Sequence, residues 1–282
     1  MGLQKLKREI SSGYILNFIE KIIWRLKGKK IQTFLHIPKT AGTYIAQLET
    51  KNKSTIFPIR YLRHAYIIDR PNEINKIYLE HDLKSARSSV VSRSQLKKCF
   101  VFSNVRNIFD WLVSYASHAG GWNPKYRDKN HYDYELANKG FSALLKAMAN
   151  RKKQWPGRRF IFSQLFSSSG DLIVDWINRT EVLNTDLKKM ASYIKCSYKQ
   201  KKKQRVSKRK RDYHSYYNAK LIKLVRKTWG RELKLFGYSF DGLNSKNAVL
   251  SGRVTKKQKQ NIKYFWDSDR LVINGKEIKR TF

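Results

Sequence analysis

The stretch 33-TFLHIPKTAGTYIAQLE-49 runs an apolar, β-prone segment into a turn with one lysine and then into a helix-compatible segment. In an α/β sheet the loop that leaves a strand's carboxyl end and opens a helix is where ligands dock. The start of such a helix leaves backbone N–H groups without intrahelical partners and carries partial positive charge, so it accepts anions. Here the turn from Lys39 through Thr40, Ala41, Gly42 and Thr43 to Tyr44 has the parts of a phosphate cradle. Gly42 lets backbone come close, Thr40 and Thr43 bring hydroxyls, and Lys39 brings a compact cation. The lysine precedes the single glycine, so the order does not fit the G-x-x-x-x-G-K-[ST] loop of nucleotidases. A capped helix following a buried strand, with Lys39 merely in solvent, is the plainer reading of the same residues.

Outward from this junction the chain alternates strand and helix signals. Strands are expected at 33–37, 74–79 and 99–105, and helices over 44–50 and 85–96. This alternation predicts an α/β domain with a central, mostly parallel sheet flanked by helices. Further on, 184–194 reads as a helix capped by Asn184, and 219–228 as a helix ending at Gly230. Asn274-Gly275 between two short alternating runs predicts a hairpin with a type I′ turn. The expected organisation is a basic amphipathic helix over 1–31, one domain over 32–242, and an extension over 243–282 that carries the hairpin.

The second informative stretch is 99-CFVFSNVRNIFDWLVSYASH-118. Asn107 with Asp110 three residues on marks a helix start after the strand. Phe109, Leu112, Val113 and Ala116 form its apolar stripe, and Ser114 is expected away from that stripe. Arg106 then sits at the strand's carboxyl end, beside Lys39 if the two strands are neighbours. Its planar fork suits a phosphate, which a serine hydroxyl can also contact. Taken by itself, Arg106 reads equally well as a surface ion-pair former.

The chain has 282 residues, 60 of them Lys or Arg against 21 Asp or Glu, for a net charge of +39. Partners are therefore expected to be anionic: nucleic acid, lipid headgroups, phosphorylated nucleotides or acidic glycans. Nine of the thirteen residues of 199-KQKKKQRVSKRKR-211 are basic. The apolar positions of residues 1–30 recur at near-helical spacing among lysines, a pattern that suits either an anionic membrane surface or packing on the main domain. No secretory signal and no apolar span of membrane length is present, which points to a cytoplasmic protein, peripheral to a membrane at most. Two cysteines without close spacing suggest neither a disulfide framework nor a zinc site.

HIPKTAGT followed about sixty residues later by VRNIFDWLVSY resembles the sulfotransferase superfamily that uses 3′-phosphoadenosine 5′-phosphosulfate (PAPS), particularly its carbohydrate-modifying and bacterial branches. The likeness extends through 174-VDWINRTEVLNTDL-187 and 212–242. It implies a P-loop-like sulfotransferase fold and a sulfuryl transfer from PAPS, without metal, to a hydroxyl or amine of an acceptor such as a glycan, a glycolipid or a small alcohol. It assigns Lys39, Thr40, Ala41, Gly42, Thr43 and Tyr44 to the 5′-phosphosulfate and Arg106 with Ser114 to the 3′-phosphate. Arg209 and Arg211 fall where relatives approach the nucleotide, with Tyr213 beside them. Two positions depart from the pattern: Tyr44 stands where a small hydroxyl residue is usual, and Ile108 where proline is frequent. Lys39 is then the stabiliser of the leaving phosphate. Six histidines compete for the role of base, with His81 ahead of His64 because it follows an apolar run and precedes Arg106 by 25 residues. Trp122 and Tyr126 suit either an acceptor cleft or packing. A nucleic-acid-binding protein without catalysis and a divergent nucleotide kinase are the competing readings. The first has charge but no recognised reading helix or RNA-binding motif, so specific binding is not expected.

Overall fold

The computed structural model describes residues 31–50, 59–63, 66–69, 90–97, 99–122, 129, 131–154, 161–196, 198, 200, 212–266 and 268–278. The expected N-terminal amphipathic helix and the strand over 74–79 fall outside these residues, as do His64, His81, Tyr126, Arg209 and Arg211. The first half of the fold comprises β1 (Ile31–His36), α1 (Gly42–Thr50), β2 (Ile59–Arg63), β3 (Tyr66–Ile68), β4 (Val90–Ser92), α2 (Arg93–Leu96), β5 (Cys99–Val105), α3 (Ile108–Ala119), α4 (Tyr134–Asn138) and α5 (Phe141–Gln154). There follow β6 (Trp176–Arg179), α6 (Leu183–Tyr193), α7 (Ala219–Phe236), β7 (Tyr238–Ser239), β8 (Gly242–Leu243), β9 (Gly252–Arg253), α8 (Lys256–Asn261), β10 (Ile262–Phe265), β11 (Arg270–Ile273) and β12 (Lys276–Glu277).

The main sheet has the order β2-β1-β5-β6-β9. Its first four strands are parallel and β9 joins antiparallel to β6. The class read from the sequence, a mostly parallel sheet flanked by helices, is therefore observed. All seven residues of β5 are buried. Their side chains alternate between two cores, as the two-residue period of a strand requires. Phe100 and Phe102 pack with Phe34, Ile45, Leu48, Leu187 and Met190, under α1 and α6. Cys99, Val101 and Val105 pack on the other face with Leu112, Leu144, Val225 and Leu233, under α3, α5 and α7. The result is three layers with β5 at the centre.

Three local expectations need correction. Residues 90–92 form a strand and only Arg93–Leu96 is helical, so no helix spans 85–96 among the described residues. α7 does not end at Gly230. It kinks at Trp229 (φ −123°, ψ 21°) and continues to Phe236. Trp229, Leu233, Leu235 and Phe236 are all buried, and that burial outweighs the roughly 1 kcal/mol cost of a glycine inside a helix. The helix stops instead at Gly237, in the left-handed region at φ 69°, where a Cβ would stand 2.5 Å from the Asn244 carbonyl oxygen. Finally, α6 begins at Leu183, with Asn184 inside it and no side-chain cap.

The hairpin is present, with Asn274 at φ 50° and Gly275 at φ 75° between β11 and β12, the two positive values a type I′ turn requires. The segment after 242 is no appendage, since β9 extends the main sheet and Ile262, Tyr264, Trp266 and Leu271 belong to the α3-side core. A buried ion pair welds it there. Arg231 of α7 donates to Asp269 Oδ2 at 2.8 Å and to its carbonyl at 2.6 Å, while Tyr264 donates to Oδ1 at 2.5 Å. The side chains of Arg231 and Asp269 are 5% and 0% exposed. Removing one partner strands the other charge in low dielectric, so Asp269→Ala is expected to cost roughly 3–5 kcal/mol in urea unfolding. A loss under about 1 kcal/mol would show that the C-terminal strands are held by packing alone.

Candidate functional site

From β1 the chain passes through α1 to β2 on one side, while β5 pairs with β1 on the other. The carboxyl ends of β1 and β5 thus flank the point at which strand order reverses, where open α/β sheets form their ligand crevice. The turn after β1 lies on one wall and Arg106 on the other. The two segments singled out in the sequence are in direct contact, for Arg106 Nη1 donates to the Lys39 carbonyl at 3.0 Å.

Two further side chains from the β5–α3 segment hold the same turn. Trp111 Nε1 donates to the Pro38 carbonyl at 2.8 Å, and Asn104 Nδ2 donates to the Thr40 carbonyl at 2.9 Å. Asn104 is itself fixed by Asn178 Nδ2 of β6 at 3.1 Å, and neighbouring Ser103 donates to the Leu35 carbonyl at 2.7 Å. In a trans peptide the carbonyl and the next residue's N–H point in opposite directions. With three successive carbonyls turned toward α3 and β5, the N–H groups of Lys39, Thr40 and Ala41 are directed away from that wall. Lys39 and Ala41 adopt φ 65° and 63° to allow this. Left-handed non-glycine residues cost roughly 1–3 kcal/mol each and persist only where their surroundings impose them. Those N–H groups and the start of α1 at Gly42 make a set of backbone donors that can accept an anion without reorganising.

Not every residue of the turn faces the same way. Lys39 and Thr43 are half-buried. Thr40 is 0% exposed and its hydroxyl donates to the Ile37 carbonyl at 2.7 Å, so it braces the turn and its hydroxyl does not reach a ligand. Ala41 packs against the α1–α6 core. Tyr44 is 6% exposed, with its ring in that core, and its hydroxyl donates to Asn184 Oδ1 at 2.9 Å and lies 2.9 Å from the Tyr198 hydroxyl. The Tyr44 ring is therefore enclosed in the core. Its role is to tie α1 to α6.

On the opposite wall, Arg106 Nε donates to Asp110 Oδ2 at 2.6 Å and Nη2 lies 2.6 Å from the same oxygen. Arginine has five N–H donors, so the guanidinium retains an edge for another acceptor. Ser114 follows Asp110 by four residues on the same side of α3. It is 7% exposed, not open to solvent as expected, because α3 is enclosed nearly all round. Asn107 caps α3 by accepting from Phe109 N–H at 3.1 Å, as its sequence context predicts.

Nothing in the sequence singles out Glu181, and Tyr213 enters there only as a neighbour of Arg209 and Arg211. Glu181 Oε1 accepts the Asn107 N–H at 2.8 Å, and Oε2 accepts the Tyr238 hydroxyl at 2.7 Å. Glu181 keeps solvent-exposed surface, yet protein crowds its carboxyl end. Desolvation there raises its pKa, against the pull of those two hydrogen bonds and of Arg106. Tyr213 donates to the Phe240 carbonyl at 2.6 Å and stacks on His214, with ring centroids 4.1 Å apart. His214 faces Asp212 Oδ1 through Nδ1 at 2.5 Å and the Phe240 carbonyl through Nε2 at 2.9 Å. A carbonyl only accepts, so the Nε2 contact is a hydrogen bond in the tautomer that carries its proton there. The His214 backbone amide is the main reason the Asp212 carboxyl is held below its usual range. Of the other described histidines, His36 ends β1, and His118 with His131 lies at the far end of α3. Trp122 stacks on Tyr216 at 5.8 Å and packs against the core, the packing role its sequence also allowed.

Among the described residues no group of three or more His, Cys, Asp or Glu side chains could hold a metal, and no helix is long and apolar enough to cross a membrane. No protein-family model, curated protein or solved structure matches the chain.

The ordinary pKa of Glu181 is near 4.5, and its folded value is higher. Between those values the folded chain binds more protons than the unfolded one, so stability falls as pH rises through that window. Glu181→Gln removes the titration and is expected to flatten the stability curve from pH 4.5 upward, followed by urea midpoints at successive pH values. A slope identical to the parent's would place the carboxyl group in ordinary solvent.

Proposed function

We propose that the chain is a PAPS-dependent sulfotransferase whose crevice between the ends of β1 and β5 holds the donor nucleotide, on a P-loop-like variant of the α/β fold. The observation that supports this best is the contact between Arg106 and the Lys39 carbonyl, which joins the turn after β1 to the end of β5 at one switch point. The backbone donors at 39–43 suit the 5′-phosphosulfate, and Arg106 with Ser114 suits the 3′-phosphate. Arg209 and Arg211 are carried into the proposal from the sequence alone.

When bound, the donor supplies an activated sulfuryl group, whose S–O bond to the 5′-phosphate breaks as the acceptor oxygen forms a new one. Lys39 follows the charge that develops on the departing phosphate oxygen, the kind of stabilisation that contributes most in a partly dry site. His81 takes the proton that leaves the acceptor hydroxyl. It lies outside the described residues and is proposed on its place before β5. The acceptor class is a glycan, a glycolipid or a small alcohol, and the net charge of +39 draws in anionic donor and acidic acceptor alike. A cytoplasmic setting, with peripheral contact to an anionic membrane surface, goes with this reading.

The direct test is calorimetry with 3′-phosphoadenosine 5′-phosphate. The parent chain is expected to bind it. Ser114→Ala is expected to bind about tenfold more weakly, the loss of one hydrogen bond to a charged group. Lys39→Ala is expected to lose roughly 10²–10³-fold in turnover, comparable to removing one preorganised donor from an oxyanion site. No heat with the parent, or near-parental turnover without Lys39, would overturn the assignment. Magnesium-dependent ATP turnover would identify a kinase in its place. DNA binding of steep salt dependence that Lys39→Ala and Arg106→Ala leave unchanged would favour a nucleic-acid-binding protein.

A further inference from the structure

At the other end of β5 lies a cavity of about 460 Å³ that the donor site does not use. Its floor is apolar, with Leu96, Val101 and Leu172 at most 5% exposed and the Cys99 thiol beside them. Its charged lining is Arg93, Lys97, Lys259 and Lys263 against Asp171 and Asp175, an excess of two positive charges over the lining aspartates (four minus two), part of which Asp69 offsets from behind the lining at 3.0 Å from Arg93. Three of the cations are held in place by those aspartates. Asp171 grips both Arg93 and Lys263, and Asp175 pairs with Lys259 at 2.7 Å. Val101, the lining residue of β5 nearest to Arg106, stands five residues before it, roughly 16 Å of strand. The volume lies within the range of small-molecule sites and is too short to reach the donor crevice.

We infer that this cavity binds a small amphipathic organic anion, with its apolar body on the Leu96–Val101–Leu172 floor and its acid group against the cationic rim. A strongly hydrated inorganic anion gains nothing from an apolar floor, and a neutral hydrophobe leaves the excess rim charge unanswered. Because internal ion pairs already order the rim, the ligand does not bear the cost of immobilising those side chains. The inference is independent of the donor assignment, and its test is read at different residues.

The probe is 8-anilinonaphthalene-1-sulfonate, an aromatic body with one sulfonate, added to the full chain. The readout is the rate at which N-ethylmaleimide modifies Cys99, with half-buried Cys196 as internal reference. At a probe concentration of about ten times Kd, Cys99 modification is expected to slow roughly tenfold and Cys196 modification to stay unchanged. Lys97 is exposed, so Lys97→Glu cancels the rim excess without disturbing the fold, and it is expected to abolish the protection at an unaltered Tm. Should the buried Cys99 thiol prove inert, the new thiol of Gln260→Cys, at an exposed and uncharged lining residue, reports the same protection from the rim. Equal slowing at both cysteines, bound probe without protection at either reporter, or displacement of the probe by 3′-phosphoadenosine 5′-phosphate would overturn the inference.

Discussion

Arg106, Asn104 and Trp111 each donate one hydrogen bond to a carbonyl of the turn between β1 and α1, at Lys39, Thr40 and Pro38 in that order. This grip fixes which side of the turn shows oxygen and which shows N–H, and so whether the turn repels or attracts an anion. It also explains how two non-glycine residues in the left-handed region persist in one short loop, since the cost of strain is met by bonds that a relaxed turn could not make. The donors come from β5, the strand enclosed by both cores, and from the first turns of the helix it opens. The position of the crevice is therefore set by the strand buried on both faces, through Ser103, Asn104 and Asn178, polar groups buried within the sheet. Such groups are tolerated because they are paired with one another and with backbone.

Charge acts here on two length scales. The chain carries +39, yet the wall around Arg106 is rich in carboxylates, with Asp110 and Glu181 beside it and Asp212 and Asp241 near enough to Tyr213 to help raise its pKa. Within a few ångströms these acids govern orientation, as Asp110 does in fixing the Arg106 fork through Nε and Nη2. Beyond a Debye length of about 8 Å the individual pairs are screened, and the remaining excess of Lys and Arg sets the field that draws anions toward the protein. An anion site can thus include acidic neighbours without contradiction, because the acids hold the cation that recognises.

Wherever local signals and burial agreed, the sequence was legible to the residue. β5 occupies Cys99–Val105 as expected, because seven consecutive apolar or small residues suit a strand with both faces covered. Asn107 caps α3, and Asn274-Gly275 forms its turn, since in each case the side chain or the backbone permission is local. Misreadings arose where tertiary contact outweighed local preference. Gly230 reads as a helix end, yet the buried residues beyond it keep α7 going. Asn184 reads as a cap, yet its amide oxygen accepts from Tyr44, far away in sequence, and from Tyr198, past the end of α6. The Thr40 hydroxyl and the Tyr44 ring look like ligand contacts in a motif, and only the fold shows them facing inward. Glu181 carried no signal at all, because its importance comes from meeting Asn107 and Tyr238 in space.

A strand buried on both faces is stiff along its length and offers its polar apparatus only at its ends. β5 does so twice. At the carboxyl end its side chains reach across to the β1 turn, and at the amino end Val101 N–H donates to Asp175 Oδ2 at 2.8 Å, the carboxylate whose other oxygen holds Lys259. Between those ends Val101 and Phe102 face two different cores with apolar side chains. Among the described residues, occupancy of one end therefore has no chain of side-chain hydrogen bonds or ion pairs through β5 by which to bias the other. The simplest physical expectation for two ligands bound at opposite ends of such a strand is additivity.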